Sequence, residues 1–277
     1  MQGLAQFWRQ MTTRPARQAF GLAPQGAAWA LVGLSLQGAD VARVQTSTVV
    51  EPPDPLADAQ VHARVWRQAL ASLVQDTRVS GAAGSVAGQV RQRGPVQARD
   101  QRLQLAWPAD RVVSGQTEFP PDWPDEDCTA EVQLAVAQAL NLPPEEVNFD
   151  WQAQPGGDLT VRPVAWVGCA QDELAEFRRH IRAARWALAS VEPEMQAALR
   201  AARAIQGGLP SLLTRPTQDW QFWLRPSPAL TGDRAGDHAG KDAGDDAGAL
   251  TQAVLRALLS PAGPRLVACG LALKAWL

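Results

Sequence analysis

A chain of 277 residues with 46% hydrophobic and 19% charged residues can bury a sizeable core, and its length fits one or two domains. A net charge of -2 and a pI near 6.0 give no positive field over the whole chain, which disfavours direct binding of nucleic acid or of an anionic membrane. Cys128, Cys169 and Cys269 are far apart and form no CxxC pair, so neither a disulfide framework nor a zinc site is expected, and a reducing cytoplasm fits.

Residues 1–26 hold Arg9, Arg14 and Arg17 with no acidic residue, and place Leu4, Phe7, Trp8 and Met11 along one helical face. They read as a basic lead-in, loosely ordered or in weak contact with a membrane surface. No apolar stretch with a small-residue cleavage site follows Met1, so no signal peptide is expected. Nor does any run reach the ~18 to 20 apolar residues of a membrane-spanning helix, since residues 27–36 include Gly33 and Ser35.

Residues 29–36 and 41–50 predict a hairpin, turning through Gln37, Gly38, Ala39 and Asp40. A proline-rich break follows, and Asp58 begins a helix with Val61, Val65, Ala69 and Leu73 on one face. Gly81, Gly84, Gly88 and Gly94 mark a loop. With no lysine followed by serine or threonine, they do not form a phosphate-cradling motif.

Two strands are expected at residues 101–107 and 112–119. A helix then starts at Pro124 with Asp125, Glu126 and Asp127, where unpaired backbone N–H groups favour carboxylates. Its buried stripe is Val132, Ala135, Val136, Ala139 and Leu140, and Pro143 and Pro144 end it. Residues 147–152 and 159–167 predict strands around the turn Pro155, Gly156, Gly157, Asp158. One further helix carries Leu174, Phe177, Ile181 and Ala184, and another Met195, Ala198, Leu199, Ala202 and Ile205. Residues 220–224 form a strand. Residues 226–248, five aspartates among alanine and glycine, read as a disordered linker rather than a calcium loop. Residues 249–259 are helical, and an apolar run closes the chain.

No catalytic arrangement emerges. His62, His180 and His238 accompany no serine or cysteine in a nucleophile motif, and packing is the reading for Cys128 and Cys169. The chain has eleven tryptophans and no tyrosine. Most fall in periodic elements and read as core. Trp107, at a strand end before Pro108, and Trp123, in a proline-flanked loop, are the candidates for a partner surface.

The element order across residues 103–204, with Phe149, Asp150 and Trp151 as a strand after a helix ending near a proline, resembles the PilM family of type IV pilus assembly proteins. It is most similar to the short, HofM-like members. AWALVGLSLQGADVARVQ near the start and LVACGLALKAWL at the end echo the family more weakly. The resemblance implies an α/β fold, a truncated actin-like (FtsA-like) architecture with an inserted α+β subdomain. Its expected parts are the lead-in 1–26, a first actin-like subdomain at 27–100 resuming at 170–210, the insertion at 101–169, and a reduced second half at 211–277 that contains the linker 226–248.

Actin-like relatives bind ATP with a hairpin reading glycine, apolar, aspartate, apolar, glycine, small residues, lysine. Laid on residues 33–43, Ser35 stands at the metal-orienting aspartate, Gln37 at the glycine and Ala42 at the lysine; a shift of register could recruit Gly38 and Arg43. The resemblance then implies a degenerate nucleotide site, with ATP disfavoured, no other cofactor and no enzyme activity. It further implies a cytosolic adaptor at the inner membrane that grips the cytoplasmic tail of a PilN-like protein in pilus assembly or DNA uptake. The alternative is a nucleotide-binding actin-like ATPase regulating pilus assembly.

Overall fold

The computed structural model describes residues 18–51, 60–61, 64–71, 102–154, 160–224 and 242–277. Strands β1 (Gln18–Gln25), β2 (Ala28–Gln37) and β3 (Val41–Val50) form an antiparallel meander. Helix α1 (residues 64–71) precedes β4 (Arg102–Trp107), which lies parallel to β1. Next come β5 (Val113–Phe119), α2 (Asp125–Leu140), β6 (Val147–Ala153) and β7 (Arg162–Ala170). The chain continues through α3 (Gln171–Ala183), β8 (Ala187–Pro193), α4 (Glu194–Ala204), β9 (Gln221–Trp223), α5 (Asp242–Leu258) and α6 (Gly263–Leu273).

These strands make a mixed six-stranded sheet in the order β8-β4-β1-β2-β3-β9 and a three-stranded sheet in the order β5-β7-β6. Period-two alternation decides the faces of the large sheet. Phe20, Leu22, Leu103, Leu105 and Trp107 meet α1 and α3 through Trp66, Leu70, Leu174, Phe177 and Ile181. Ala19, Ala23, Val32, Leu34, Val44 and Ala106 meet α4, α5 and α6 on the other side. Two glycines let α6 approach closely. A Cβ on Gly21 would lie 1.9 Å from the Ala268 carbonyl oxygen, and one on Gly270 would lie 1.8 Å from that of Ala197.

The three-stranded sheet has its own core. Helix α2 buries Cys128, Val132, Val136 and Ala137 against Phe119, Val147 and Val164. It starts after Pro124 with three carboxylates in its first turn and ends at Asn141, whose left-handed backbone (φ 53) turns its N–H back onto the carbonyls of Ala137 and Gln138.

Several expectations change. The stretch taken as lead-in contains β1, a central strand; residues 1–17 lie outside the described residues. The buried positions of α1 are Trp66 and Leu70, while Val61 is exposed. Strand β4 belongs to the large sheet between β1 and β8, so the small module begins at β5 and not at residue 101. The segment expected as a second half instead completes the first sheet, since β9 pairs with β3 and α6 packs on β1 and β2. Residues 242–248, placed in the linker, are helical within α5; residues 225–241 lie outside the described residues, as does the glycine-rich stretch 80–94.

Candidate functional site

The small sheet has two unlike faces. Val113, Phe149, Trp151, Val164 and Trp166 turn toward α2, where the indole N–H of Trp166 donates to Thr117 Oγ1 and that of Trp151 to Thr129 Oγ1, both at 3.0 Å. Arg162 lies 5.3 Å from the centre of the Trp151 ring and pairs with Asp125 at 2.7 Å. The alternate residues Ser114, Gln116, Asp150, Gln152, Ala165 and Val167 face away and line a cleft of about 750 Å³.

The opposite wall is Val191, Glu192 and Pro193 of β8, Met195 and Gln196 of α4, and Lys274 after α6. Among the described residues β8 pairs only with β4, so its outer edge has no strand partner there. Glu192, 6% exposed, is clamped: Arg200 Nη2 donates to Oε2 at 2.9 Å, Arg200 Nη1 to Oε1 at 2.5 Å, and Lys274 Nζ to Oε2 at 2.9 Å. Arg200 Nη1 also donates to the Gly270 carbonyl at 2.8 Å, joining β8, α4 and α6. Burial pushes the Glu192 carboxyl up, but the hydrogen bonds and charges of Arg200 and Lys274 outweigh it and hold the group below its usual range.

The cleft runs into an inner recess of about 200 Å³ that shares Asp150, Val167 and residues 191–193 with it. Trp107, Val112, Leu174 and Arg178 close the recess. The Trp107 indole N–H is buried and has no acceptor among the described residues. Cys169 also lines the recess, buried, its thiol pushed up mainly by burial and then by Glu173.

The sequence candidates fall in different places. Trp107 is a core residue, 3% exposed, in edge contact with Phe177, and reaches the site only as part of the recess wall. Trp123 is half-buried, stacked on Phe119 at 5.5 Å, and lies away from the cleft as a lid on the α2 core. Ser35 and Gln37 lie on β2, Gly38 turns at φ 73, and Ala42 is fully buried; none of the four lines either cleft. Among the described residues there is no cluster of three or more metal-ligating side chains, and no helix is long and apolar enough to cross a membrane. The open face of β5, β6 and β7 was missed at sequence level, though the polar alternation Asn148, Asp150, Gln152 against Phe149 and Trp151 is its visible signal.

No family model matches this chain, and no curated protein does. Among solved structures it is similar to one described as a PilM-PilN type IV pilus biogenesis complex. The TM-score is 0.46 at 15% identity, over 69% of this chain and 54% of that one. This chain thus spans about half the length of the solved chain it matches.

One wall offers the Ser114 hydroxyl, the amides of Gln116 and Gln152 and the Asp150 carboxylate; the other offers a strand edge with no strand partner among the described residues; and the recess mixes Val112, Leu174 and Val191 with Asn148, Asp150 and Arg178. An extended segment presents this combination of backbone groups and alternating side chains.

Proposed function

We propose that this protein is a peptide-holding adaptor of a type IV pilus or DNA-uptake assembly complex, its cleft taking the cytoplasmic tail of a PilN-like membrane protein. The observation that carries the reading is the cleft itself, set between the open face of the small sheet and the outer edge of β8. The choice of partner comes from the resemblance of residues 103–204 to the PilM family, in which such a tail lies between the first actin-like subdomain and the inserted one. Location at the inner membrane then follows through the partner.

The nucleotide site is degenerate on this reading, at residues 33–43 and equally where the same pattern is laid on the first hairpin. The meander opens with β1 and β2, whose run is Gly21, Leu22, Ala23, Pro24, Gln25, Gly26, Ala27, Ala28, Trp29, Ala30. Ala23 stands at the aspartate and is fully buried, Ala30 stands at the lysine and is fully buried, and only Gly26 and Ala27 form the turn. Neither a carboxylate for magnesium nor a cation for phosphate is left there.

The test is calorimetric titration of the full chain with a synthetic peptide of the PilN-like tail from the same organism. Saturable binding is expected, weakened at least about tenfold by Ala165→Trp, which fills the cleft from the central strand of the small sheet. Absence of binding, or binding indifferent to Ala165→Trp, defeats the reading. A rise in melting temperature with ATP and magnesium would favour the ATPase alternative instead.

A further inference from the structure

The edge of the large sheet away from the cleft is at once apolar and basic. Beside β3, the one-turn helix Ser211–Thr214 and the turn between α5 and α6 enclose a hollow of about 450 Å³, lined in part by Leu213, Arg215 and Arg265. Leu213 is 76% exposed, Leu259 in the turn 91% and Leu255 48%. The last two stand one helical turn apart, since the Leu259 N–H donates to the Leu255 carbonyl. None of the three leucines belongs to a core cluster, so nothing inside the fold accounts for them. Large apolar side chains gathered in water mark a contact surface.

Its charge has one sign. Arg215, Arg265 and Arg256, in the last turn of α5, make no ion pair among the described residues, and no carboxylate lines the hollow. Asp219, four residues after Arg215, pairs with Arg43 at 3.8 Å. The aspartates of α5 end at Asp246, about 13 Å before Leu255 along the helix axis. The net charge of -2 does not cancel such a patch, because exposed charges more than about 8 Å away are largely screened at physiological ionic strength.

We propose that this edge sits directly on an anionic phospholipid bilayer, its leucines entering the headgroup boundary and its arginines meeting lipid phosphates. A bilayer offers both complements in one plane, an apolar layer beneath a sheet of negative charge. Arginine suits the boundary, since its apolar stem lies along the leucines while the guanidinium stays with the phosphates. The cleft remains open in this pose, because β8 and β9 stand at opposite ends of the strand order. The contact requires neither a membrane-spanning helix nor the tail of another protein.

Flotation of the full chain with lipid vesicles, no other protein present, tests it. Vesicles of phosphatidylcholine mixed with phosphatidylglycerol should carry the protein upward, pure phosphatidylcholine should carry far less, and high salt should release it. Arg215→Gln and Arg265→Gln should each weaken binding about fivefold, the worth of one basic residue near an anionic surface. Leu259→Ser should weaken it at least about tenfold. Leu134→Ser, at an exposed position of α2 that does not line the hollow, should bind as wild type does. Near-ultraviolet circular dichroism of all four variants should match wild type. Inorganic phosphate should compete no better than chloride at equal ionic strength. The proposal is overturned by a wild-type chain that does not float, by equal flotation with both lipid compositions, or by binding that any of the three hollow variants leaves unchanged. Loss of binding in Leu134→Ser overturns it too, as does displacement by phosphate beyond its ionic strength, which would make the hollow a site for a soluble phosphate compound.

Discussion

Among the described residues Glu192 is the one charged side chain that is buried, and it is held by two cations at once. Removing one member of such a group leaves an uncompensated charge, so Glu192→Gln should cost about 3 kcal/mol of stability at neutral pH, measured by urea unfolding. The pH dependence has a definite sign. Because the folded carboxyl sits below its ordinary 4.5, its contribution is fully present above that value and drains away as pH falls through the lowered one. Wild type and Glu192→Gln should therefore converge in acid; a gap that stays constant with pH would show that the ion group is not its source. Close packing makes a second demand at Gly270, where the Ala197 carbonyl leaves no room for a methyl group. Gly270→Ala should lower stability by at least about 2 kcal/mol, read as a drop in melting temperature, whereas a neutral result would mean that α4 and α6 can part cheaply. Such contacts are invisible in the sequence, because Gly270 meets Ala197 across seventy-odd positions and nothing local marks either residue. Trp107 teaches the same lesson: a tryptophan at a strand end before a proline reads as a partner surface, yet Phe177 of α3 packs on its ring and buries it.

At the scale of elements, pattern served well wherever one face is buried and the other wet. The β2–β3 hairpin, α2, the β6–β7 pair and the inward face of α3 follow directly from periodicity, because burial on one side imposes it. Strand β1 escaped because it is covered on both faces, and its run Ala19 to Ala23 therefore lacks alternation. Residues 242–248 escaped for the opposite reason: alanine, glycine and aspartate alone cannot bury enough surface to specify a helix, and here they extend one that Leu250 and Val254 anchor. The terminal helix α6 is the clearest consequence of its sequence, since every residue from Leu266 to Leu273 is buried. Each fully buried leucine or valine there contributes roughly 1.5–3 kcal/mol, and the helix covers β1, β2, β4 and α4 together. A chain ending at Ser260 should lose its near-ultraviolet circular dichroism and bind a hydrophobic dye. A truncated protein that still unfolds cooperatively at wild-type temperature would mean that α6 is an ornament and not part of the core.

The molecule as a whole is two packed bodies sharing one cleft, and their independence can be measured. The module of β5, α2, β6 and β7 closes its own cluster around Val132, Val136 and Val164, apart from both clusters of the large sheet. Its two ends leave from one place, because Val113 is the ladder partner of Gly168, and such partners lie about 5 Å apart. That geometry explains how a run of residues can interrupt the large body between β4 and α3 without distorting it. Residues 113–170, produced alone, should therefore unfold as one cooperative unit, though with the small margin expected of a domain of about 60 residues. The remaining chain, with a short glycine-serine link joining residues 112 and 171, should keep the large sheet and lose peptide binding, since one wall of the cleft departs with the module. Circular dichroism and thermal unfolding of the two pieces decide it. If the excised module is structureless while the linked body folds, α2 and its strands depend on the large sheet for stability, and the cleft is then the seam of a single core rather than a groove between two.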